Sequence, residues 1–232
     1  MTAYKTYFNW STGKDSALAL YYLLQDKGFS VDKLVTTVNS AFNRVSMHGI
    51  RISLLKKQVA ALGIPLSLIK LPEQPSMEDY NRIMTKATNQ LKKDDYSYGA
   101  FGDILLEDLK QYREKQLGNQ GIKTAFPLWQ RNTSELMQEF LDLGFKAVVV
   151  CADSKHFSED FVGRTLDEDL IASLPEEVDP CGENGEFHTF CFDGPIFKNP
   201  IEFEVGEKTY REYPKPNSID AASGFWFCDL LG

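Results

Sequence analysis

The chain has 232 residues, enough for one large domain or two small ones. Hydrophobic residues make up 43% and charged residues 25%, which excludes a disordered or fibrous chain and fits a globular protein with a real core. The formal charge of −8 comes without a basic block, which argues against a large nucleic-acid footprint.

No run approaches the roughly 18 apolar residues that span a bilayer, and the amino end lacks the basic-then-apolar order of a secretory signal. Cys151, Cys181, Cys191 and Cys228 are scattered without a C-x-x-C pair. Reduced, mostly buried cysteines in a cytoplasmic protein are therefore expected, with no membrane contact.

In chain order, residues 4–10 alternate and are aromatic-rich, which predicts a strand. A short polar loop follows, then a helix over 15–27 with Leu18, Tyr21, Tyr22 and Leu24 on one stripe, ended by Gly28. Residues 34–38 form a β-branched strand, 39–49 a loop containing Asn43, Arg44, His48 and Gly49, and 50–62 a helix stopped by Gly63. A third strand covers 66–71, and Ser76 with Asp79 resembles a capping box that opens the next helix. A short strand at 98–101 runs into Gly102-Asp103-Ile104, followed by a helix over 105–117, a strand over 122–126 and Pro127-Leu128-Trp129. Asn132 and Glu135 cap a helix ending at Gly144, and 145–151 is an apolar sixth strand. Strands alternating with helices imply right-handed crossovers and a largely parallel sheet. Apolar residues 147–150 suit a strand buried on both faces.

Beyond Cys151 the pattern changes to a polar loop, a short helix at 166–174 and strand-like pieces at 188–192, 201–205, 209–213 and 225–230. This predicts an α/β nucleotide domain followed by a smaller mixed domain, with the boundary near residues 127–132.

Three polar clusters sit where strands meet loops. The first is Ser11-Thr12-Gly13-Lys14-Asp15-Ser16, placed at a strand's carboxyl end and a helix's amino end, where free backbone N–H groups favour an anion. Gly13 allows close approach, Lys14 supplies positive charge, and Ser11 and Ser16 offer hydroxyls, which together suggest a phosphate cradle. It is not the common G-x-x-x-x-G-K-[ST] loop, because Phe8 and Asp15 occupy the first Gly and the Ser/Thr positions. Asp15 beside the lysine suits a site that also manages Mg²⁺. The plainer alternative is a polar turn with Ser11 or Thr12 as helix N-cap.

The second cluster is Gly102-Asp103, a carboxylate at the crevice rim or a simple helix-entry turn. The third runs from Pro180 through Cys181, Gly182, Glu183, Asn184, Gly185, Glu186, Phe187 and His188 to Thr189. Its carboxylates, amide and imidazole suit orienting or polarising a carboxylate or amine substrate, and a solvated turn is the alternative. If the segment is extended by Glu186, then Glu186 and His188 share a face. Cys181 and His188 lack the paired spacing of a zinc site. His48 and Arg51 are lesser candidates beside the loop after the second strand.

Taken in order, these clusters resemble the diphthine–ammonia ligase family of PP-loop ATP pyrophosphatases. The resemblance rests on the S-G-G-K-D-S type loop at Ser11 to Ser16, the Gly-Asp-Ile at Gly102 to Ile104, Pro-Leu-Trp at Pro127 to Trp129, and Gly-Glu-Asn-Gly-Glu-Phe-His-Thr at Gly182 to Thr189. It implies a HUP-type, Rossmann-like parallel sheet (residues 1–128) with a smaller mixed α+β C-terminal domain (residues 129–232). It also implies an ATP- and Mg²⁺-dependent ligase that adenylates a carboxylate and passes it to ammonia, releasing AMP and pyrophosphate. Carried over, Ser11, Thr12, Gly13, Lys14, Asp15, Ser16, Gly102 and Asp103 would bind ATP, with Asp15 reaching Mg²⁺. Lys14, Asp15, Glu183, Glu186 and His188 would be catalytic, and Asn184, Thr189 and His48 would meet the acceptor. Implied partners are a small-molecule nucleotide, ammonia and, in an archaeon or eukaryote, the diphthine of elongation factor 2; a homo-oligomer is left open.

Two departures stand out. Thr12 occupies a position where the family loop carries Gly, and a β-branched residue is strained if φ there is positive. The chain also ends at residue 232, suggesting a compact prokaryotic member. In a bacterium the same chemistry would serve a different small metabolite, and a non-catalytic adenine-nucleotide-binding protein is the other alternative.

Overall fold

The structure is a computed structural model that describes residues 2–46, 49–213 and 223–232. His48, a candidate for acceptor binding, lies outside the described residues.

The first half runs β1 (Tyr4–Asn9), α1 (Lys14–Gln25), β2 (Phe29–Asn39), β3 (Arg44–Val45), α2 (Ile52–Leu62) and β4 (Leu66–Leu71). It continues through α3 (Met77–Lys93), β5 (Tyr98–Ala100), α4 (Glu107–Gly118), β6 (Lys123–Ala125) and α5 (Thr133–Asp142). Strands β4, β2, β1, β5 and β6 lie side by side in that order, and every pairing among them is parallel. The chain builds outward from β1 to β4, then α3 carries it back to β5 on the other side of β1. That reversal makes a topological switch point between β1 and β5, and sheets of this kind bind ligands beyond the carboxyl ends of the strands there. The loops after β1 and β5 hold the first two polar clusters, so topology alone brings them together.

Local signals explain the helix starts. The Ser76 hydroxyl accepts from Asp79 N–H at 3.0 Å, and the Asn132 side chain accepts from Glu135 N–H at 3.0 Å, so both predicted caps form. The segment 39–49 is not all loop, because β3 folds back antiparallel on β2.

The second half contains β7 (Lys146–Asp153), α6 (Glu168–Ala172), β8 (Phe187–Asp193), β9 (Glu204–Tyr213) and β10 (Ser223–Leu231). They form a separate antiparallel sheet in the order β8-β7-β10-β9. The apolar run at 147–150 is buried along its length, as its composition predicts, yet it belongs to this antiparallel sheet. After α5 the chain does not return to the parallel sheet, so β7 is the founding strand of the second one. The pieces predicted at 201–205 and 209–213 are one strand, β9, and Ile201 instead anchors the preceding turn in the core, its N–H donating to Phe192 O at 2.7 Å.

One hydrophobic core joins the two sheets. It unites Phe8 and Trp10 on one face of β1 with α1, α2, α5 and residues of β7, β8 and β10. Tyr7, pointing the other way as strand alternation requires, belongs to a smaller core beneath α3 and α4. A second tie is ionic: Asp229 on β10 receives Arg44 at 2.8 Å and Arg51 at 2.5 Å. Partial burial works against the Asp229 carboxylate, but hydrogen bonds from both arginines overcome it and hold its pKa far below the ordinary range.

A carboxylate with a depressed folded pKa contributes stability above its unfolded pKa of about 3.9 and loses it as pH falls below that value. Asp229→Asn is expected to lower stability at pH 7 by on the order of 1 kcal/mol, since both arginines are partly exposed. The difference from the parent protein should shrink in thermal melts at pH 3. Equal melting temperatures at pH 7 would contradict this role.

Candidate active site

The loop after β1 leads into α1 with Gly13 as N-cap, in an extended conformation and with no side-chain hydrogen bond from the cap itself. Neither Ser11 nor Thr12 serves as the cap. Ser11 instead donates its hydroxyl to Ser16 Oγ at 3.1 Å, and Ser16 donates to Gly13 O at 2.9 Å. The first turn of α1 therefore keeps the anion-favouring end expected of a phosphate cradle.

Thr12 sits at φ 78°, in the left-handed region. That conformation costs a residue with a Cβ about 1–2 kcal/mol. Its hydroxyl is buried without a hydrogen-bond partner. What holds it there is its backbone: Thr12 O accepts from Cys191 N–H of β8 at 2.9 Å and from the Gln58 amide at 3.1 Å. Gln58, fully buried on α2, also donates to Cys191 O at 2.6 Å and accepts from the Trp10 indole at 2.9 Å. One amide thus pins both ends of the loop's first turn to each other and to the second sheet.

Lys14 is 3% exposed. Its ammonium reaches both Asp15 carboxylate oxygens at 2.8 Å and the Cys181 carbonyl, and it lies 5.4 Å from the Phe187 ring centre. Its backbone N–H donates to Thr189 Oγ1 at 3.1 Å. Burial, the largest influence, works against the charge, but Asp15, Cys181 and Glu183 together outweigh it and the Lys14 pKa is raised. The lysine proposed to reach into the crevice is here clasped between the two halves of the chain.

Gly102 is needed for close approach: a Cβ there would lie 3.0 Å from the Asp15 carbonyl and the Ser16 nitrogen. The loop after β5 therefore rests directly on the first turn of α1. Asp103 pairs with Arg113 of α4 at 2.9 Å, while burial raises its pKa. Gln130, next to Trp129, donates its N–H to Ile104 O at 2.9 Å, bringing the Pro-Leu-Trp segment alongside.

The third cluster closes the site. Glu183 accepts from the N–H groups of Ile104 at 3.3 Å and Leu105 at 3.0 Å. Burial, then the nearby Asp15 carboxylate, raise its pKa to about 7. Lys14, Asp15, Asp103 and Glu183 thus form one electrostatic group drawn from three segments. Glu186 has a different surrounding. Its carboxylate accepts from the N–H groups of Asp179 and Asn184 and from the Asn184 amide, at 2.9–3.1 Å. Burial opposes ionisation, yet these bonds prevail and lower its pKa. Glu186 and Asn184 organise their own loop, and Thr189 supports Lys14. Along β8, Phe187 and Thr189 face Lys14, so alternation directs His188 to the opposite face.

Sequence reasoning missed Gln58, Asp179 and Arg113. Gln58 had a signal, since it falls on the same helical stripe as Leu54, Leu55 and Leu62. Asp179 accepts from Cys181 and Glu183 N–H and from the Thr133 hydroxyl, and nothing in its local sequence marks it.

The arrangement suits an anion with its counter-cation. Burial first, and the Asp15 carboxylate after it, raise the proton affinity of Asp103 and Glu183, so this spot carries negative charge that a cation would relieve. Among the described residues no cluster of three or more acidic, His or Cys side chains could hold a metal alone. Mg²⁺ characteristically takes one or two carboxylates plus substrate phosphates, which these residues fit, Asp15 foremost. Gln58→Met is expected to cost about 1–3 kcal/mol in denaturant unfolding, because it takes the acceptor from the buried Trp10 indole and a donor from the Thr12 and Cys191 carbonyls. A cost below the resolution of the measurement would show that the loop does not depend on this amide.

Residues 4–124 match the model of the Diphthamide synthase N-terminal domain, and residues 132–222 that of the Diphthamide synthase C-terminal domain. The chain is 27% identical over 141 residues to the diphthine–ammonia ligase of Homo sapiens, covering 58% of this chain and 51% of that one. It is 26% identical over 160 residues to that of Schizosaccharomyces pombe, covering 65% and 25%. The match thus spans about half the length of the human relative. Among solved structures, the U34-tRNA thiolase NcsA from Methanococcus maripaludis aligns at 20% identity and a TM-score of 0.36, over 61% of this chain and 57% of that one. With both domain models matched in order, and the first alone taking in more than half of the sequence, the chain belongs to the diphthamide synthase family.

Proposed function

We propose that this protein is an ATP-dependent ligase that adenylates a carboxylate and transfers the acyl group to ammonia, releasing pyrophosphate and then AMP. The observation that carries the reading is the meeting of three segments at one crevice: Lys14 against Asp15 and the Cys181 carbonyl, Gly102 against the first turn of α1, and Glu183 on the N–H groups of Ile104 and Leu105. Family membership supports ATP use, and the relatives named diphthine–ammonia ligase make a diphthine-like carboxylate, borne by elongation factor 2, the favoured acceptor.

In this reading the amino end of α1, with Ser11, Gly13 and Ser16, cradles the β- and γ-phosphates, and Lys14 stabilises the charge that develops on departing pyrophosphate. Asp15 would hold Mg²⁺, which would supply positive charge against the phosphates, beside the ammonium of Lys14. Gly102 and Asp103 flank the nucleotide. Holding the acceptor carboxylate near the α-phosphorus is the positioning contribution. Glu183 is the group suited to take the proton that ammonia loses on attacking the acyl carbon. Glu186, Asn184 and Thr189 act by holding the loop and lysine in place. The family-specific unit is residues 129–232 and the nucleotide unit residues 1–128. No described helix is long and apolar enough to cross a membrane, and a cytoplasmic site of action follows from the proposed chemistry.

Incubation with ATP, Mg²⁺, ammonium and diphthine-bearing elongation factor 2 should yield AMP and pyrophosphate in equal amounts. ADP and inorganic phosphate as products would refute the reading. Lys14→Ala is expected to reduce turnover by roughly 10²–10³-fold, the scale seen when a transition-state charge stabiliser is removed.

Glu183 gives a pH signature. If its ionised form is the base, the ammonia-dependent step should rise through a pKa of about 7. Glu183→Gln should be slow and lack that rise. The linkage has the opposite sign: a raised folded pKa gives stability that is full below the unfolded value of about 4.3 and lost as pH climbs through the folded one. Glu183→Gln should therefore melt higher than the parent at pH 8, with little difference at pH 4. An unchanged rate profile would remove Glu183 from the chemistry, and unchanged melts would remove the burial argument.

A further inference from the structure

We propose that Asp179 is a positioning residue of the reaction site, holding the turn 181–183 from which Glu183 and the Cys181 carbonyl reach the other two segments; its part in the chemistry rests on reading Lys14 and Glu183 as groups of the ligase reaction. Asp179 accepts from three consecutive backbone N–H groups. Its Oδ1 takes those of Cys181 at 2.8 Å and Glu183 at 3.3 Å, and its carbonyl takes that of Gly182 at 2.8 Å. Such side-chain-closed turns are a habit of Asp, and here Gly182 at φ 70° lets the chain follow it. The remaining oxygen, Oδ2, accepts from the Thr133 hydroxyl at 2.7 Å.

That last bond closes a circuit. Thr133 opens α5, and just before it Gln130 donates its N–H to Ile104 O at 2.9 Å. Ile104 donates its own N–H to the Glu183 carboxylate at 3.3 Å. The path runs from Ile104 through the segment 130–133 to Asp179, then to Glu183 and back to Ile104. Glu183 is thus held from both ends, its main chain by Asp179 and its carboxylate by the N–H groups of Ile104 and Leu105. The same turn carries the Cys181 carbonyl that receives Lys14, so loosening it displaces two groups of the site together. Glu186 ties the loop to itself, through the N–H groups of Asp179 and Asn184. Asp179 ties it to α5.

The bonding also dictates which substitution is tolerated. Asparagine can keep every bond, because its Oδ1 accepts both N–H groups and its Nδ2 donates to the Thr133 hydroxyl, which accepts as readily as it donates. Alanine keeps none of the side-chain bonds. Thr133→Val removes the tie to α5 and leaves the turn its own bonds.

The amide proton resonances of Ile104 and Leu105 report where Glu183 sits, without any turnover. Glu183→Gln marks how they move when the carboxylate is replaced; Asp179→Ala should move both, and Asp179→Asn should leave them in place. With Mg·ATP, ammonium and diphthine-bearing elongation factor 2, Asp179→Ala should lower kcat by about tenfold or more, the scale of a misplaced reacting group. Its KM for ATP should stay within about twofold, and Asp179→Asn should recover kcat to within about threefold. Parent-like resonances and kcat in Asp179→Ala would overturn the proposal, as would an Asp179→Asn variant as impaired as Asp179→Ala. Should Asp179→Ala fail to fold, Thr133→Val decides: shifted resonances with a lower kcat support the proposal, and unchanged values overturn it. Parent protein that makes no AMP and pyrophosphate defeats the ligase reading instead, and the resonances alone then show whether Asp179 places Glu183.

Discussion

A buried ammonium ion sets the terms of this structure. Taking a charge out of water costs on the order of several kcal/mol unless partners replace the lost hydration. Lys14 finds them on both sides of the molecule, in the Asp15 carboxylate of its own helix and in the Cys181 carbonyl of the second half. Neither half supplies the set alone. The lysine thus links the position of the loop 11–16 to that of the Cys181–Glu183 loop, and misplacing either leaves an uncompensated charge.

The same pairing recurs around it in neutral form. Gln58 joins Thr12 to Cys191, Thr189 accepts from the Lys14 N–H, and one core runs beneath both sheets. This network explains how a threonine survives at φ 78°: two hydrogen bonds to its carbonyl fix the peptide, so the strain is carried by the surroundings and not relieved locally. The geometry of the loop proposed to cradle phosphates thus comes from packing between the two halves of the chain.

Much of this was legible in the residues. The alternation of strands and helices gave the parallel sheet, the Ser76 and Asn132 caps gave two helix starts, and the loop after β1 falls at the switch point its position implied. The destination of the run at 147–150 was not legible, because a buried antiparallel strand has the same apolar composition as a parallel one. Side-chain direction was the other limit. Glu183 and Glu186 look alike in sequence, yet one spans to the Gly102-Asp103-Ile104 loop and the other turns into its own loop. His188 would share a face with Glu186 only if the strand had begun there, but β8 begins at Phe187, and the face that contacts Lys14 belongs to Phe187 and Thr189. Such distinctions depend on contacts between segments more than 70 residues apart, as between Ile104 and Glu183, and no local pattern records them.

The central claim is that the nucleotide loop and the Glu183 loop form a single reaction site. A double-mutant cycle on pyrophosphate release and product formation tests it most directly, with Lys14→Met, Glu183→Gln and the pair. Groups acting on the same reacting centre are strongly non-additive, so the double variant should be about as slow as the slower single one. A double variant slowed by the product of the two single effects would mean that the two loops act independently, and would contradict the account.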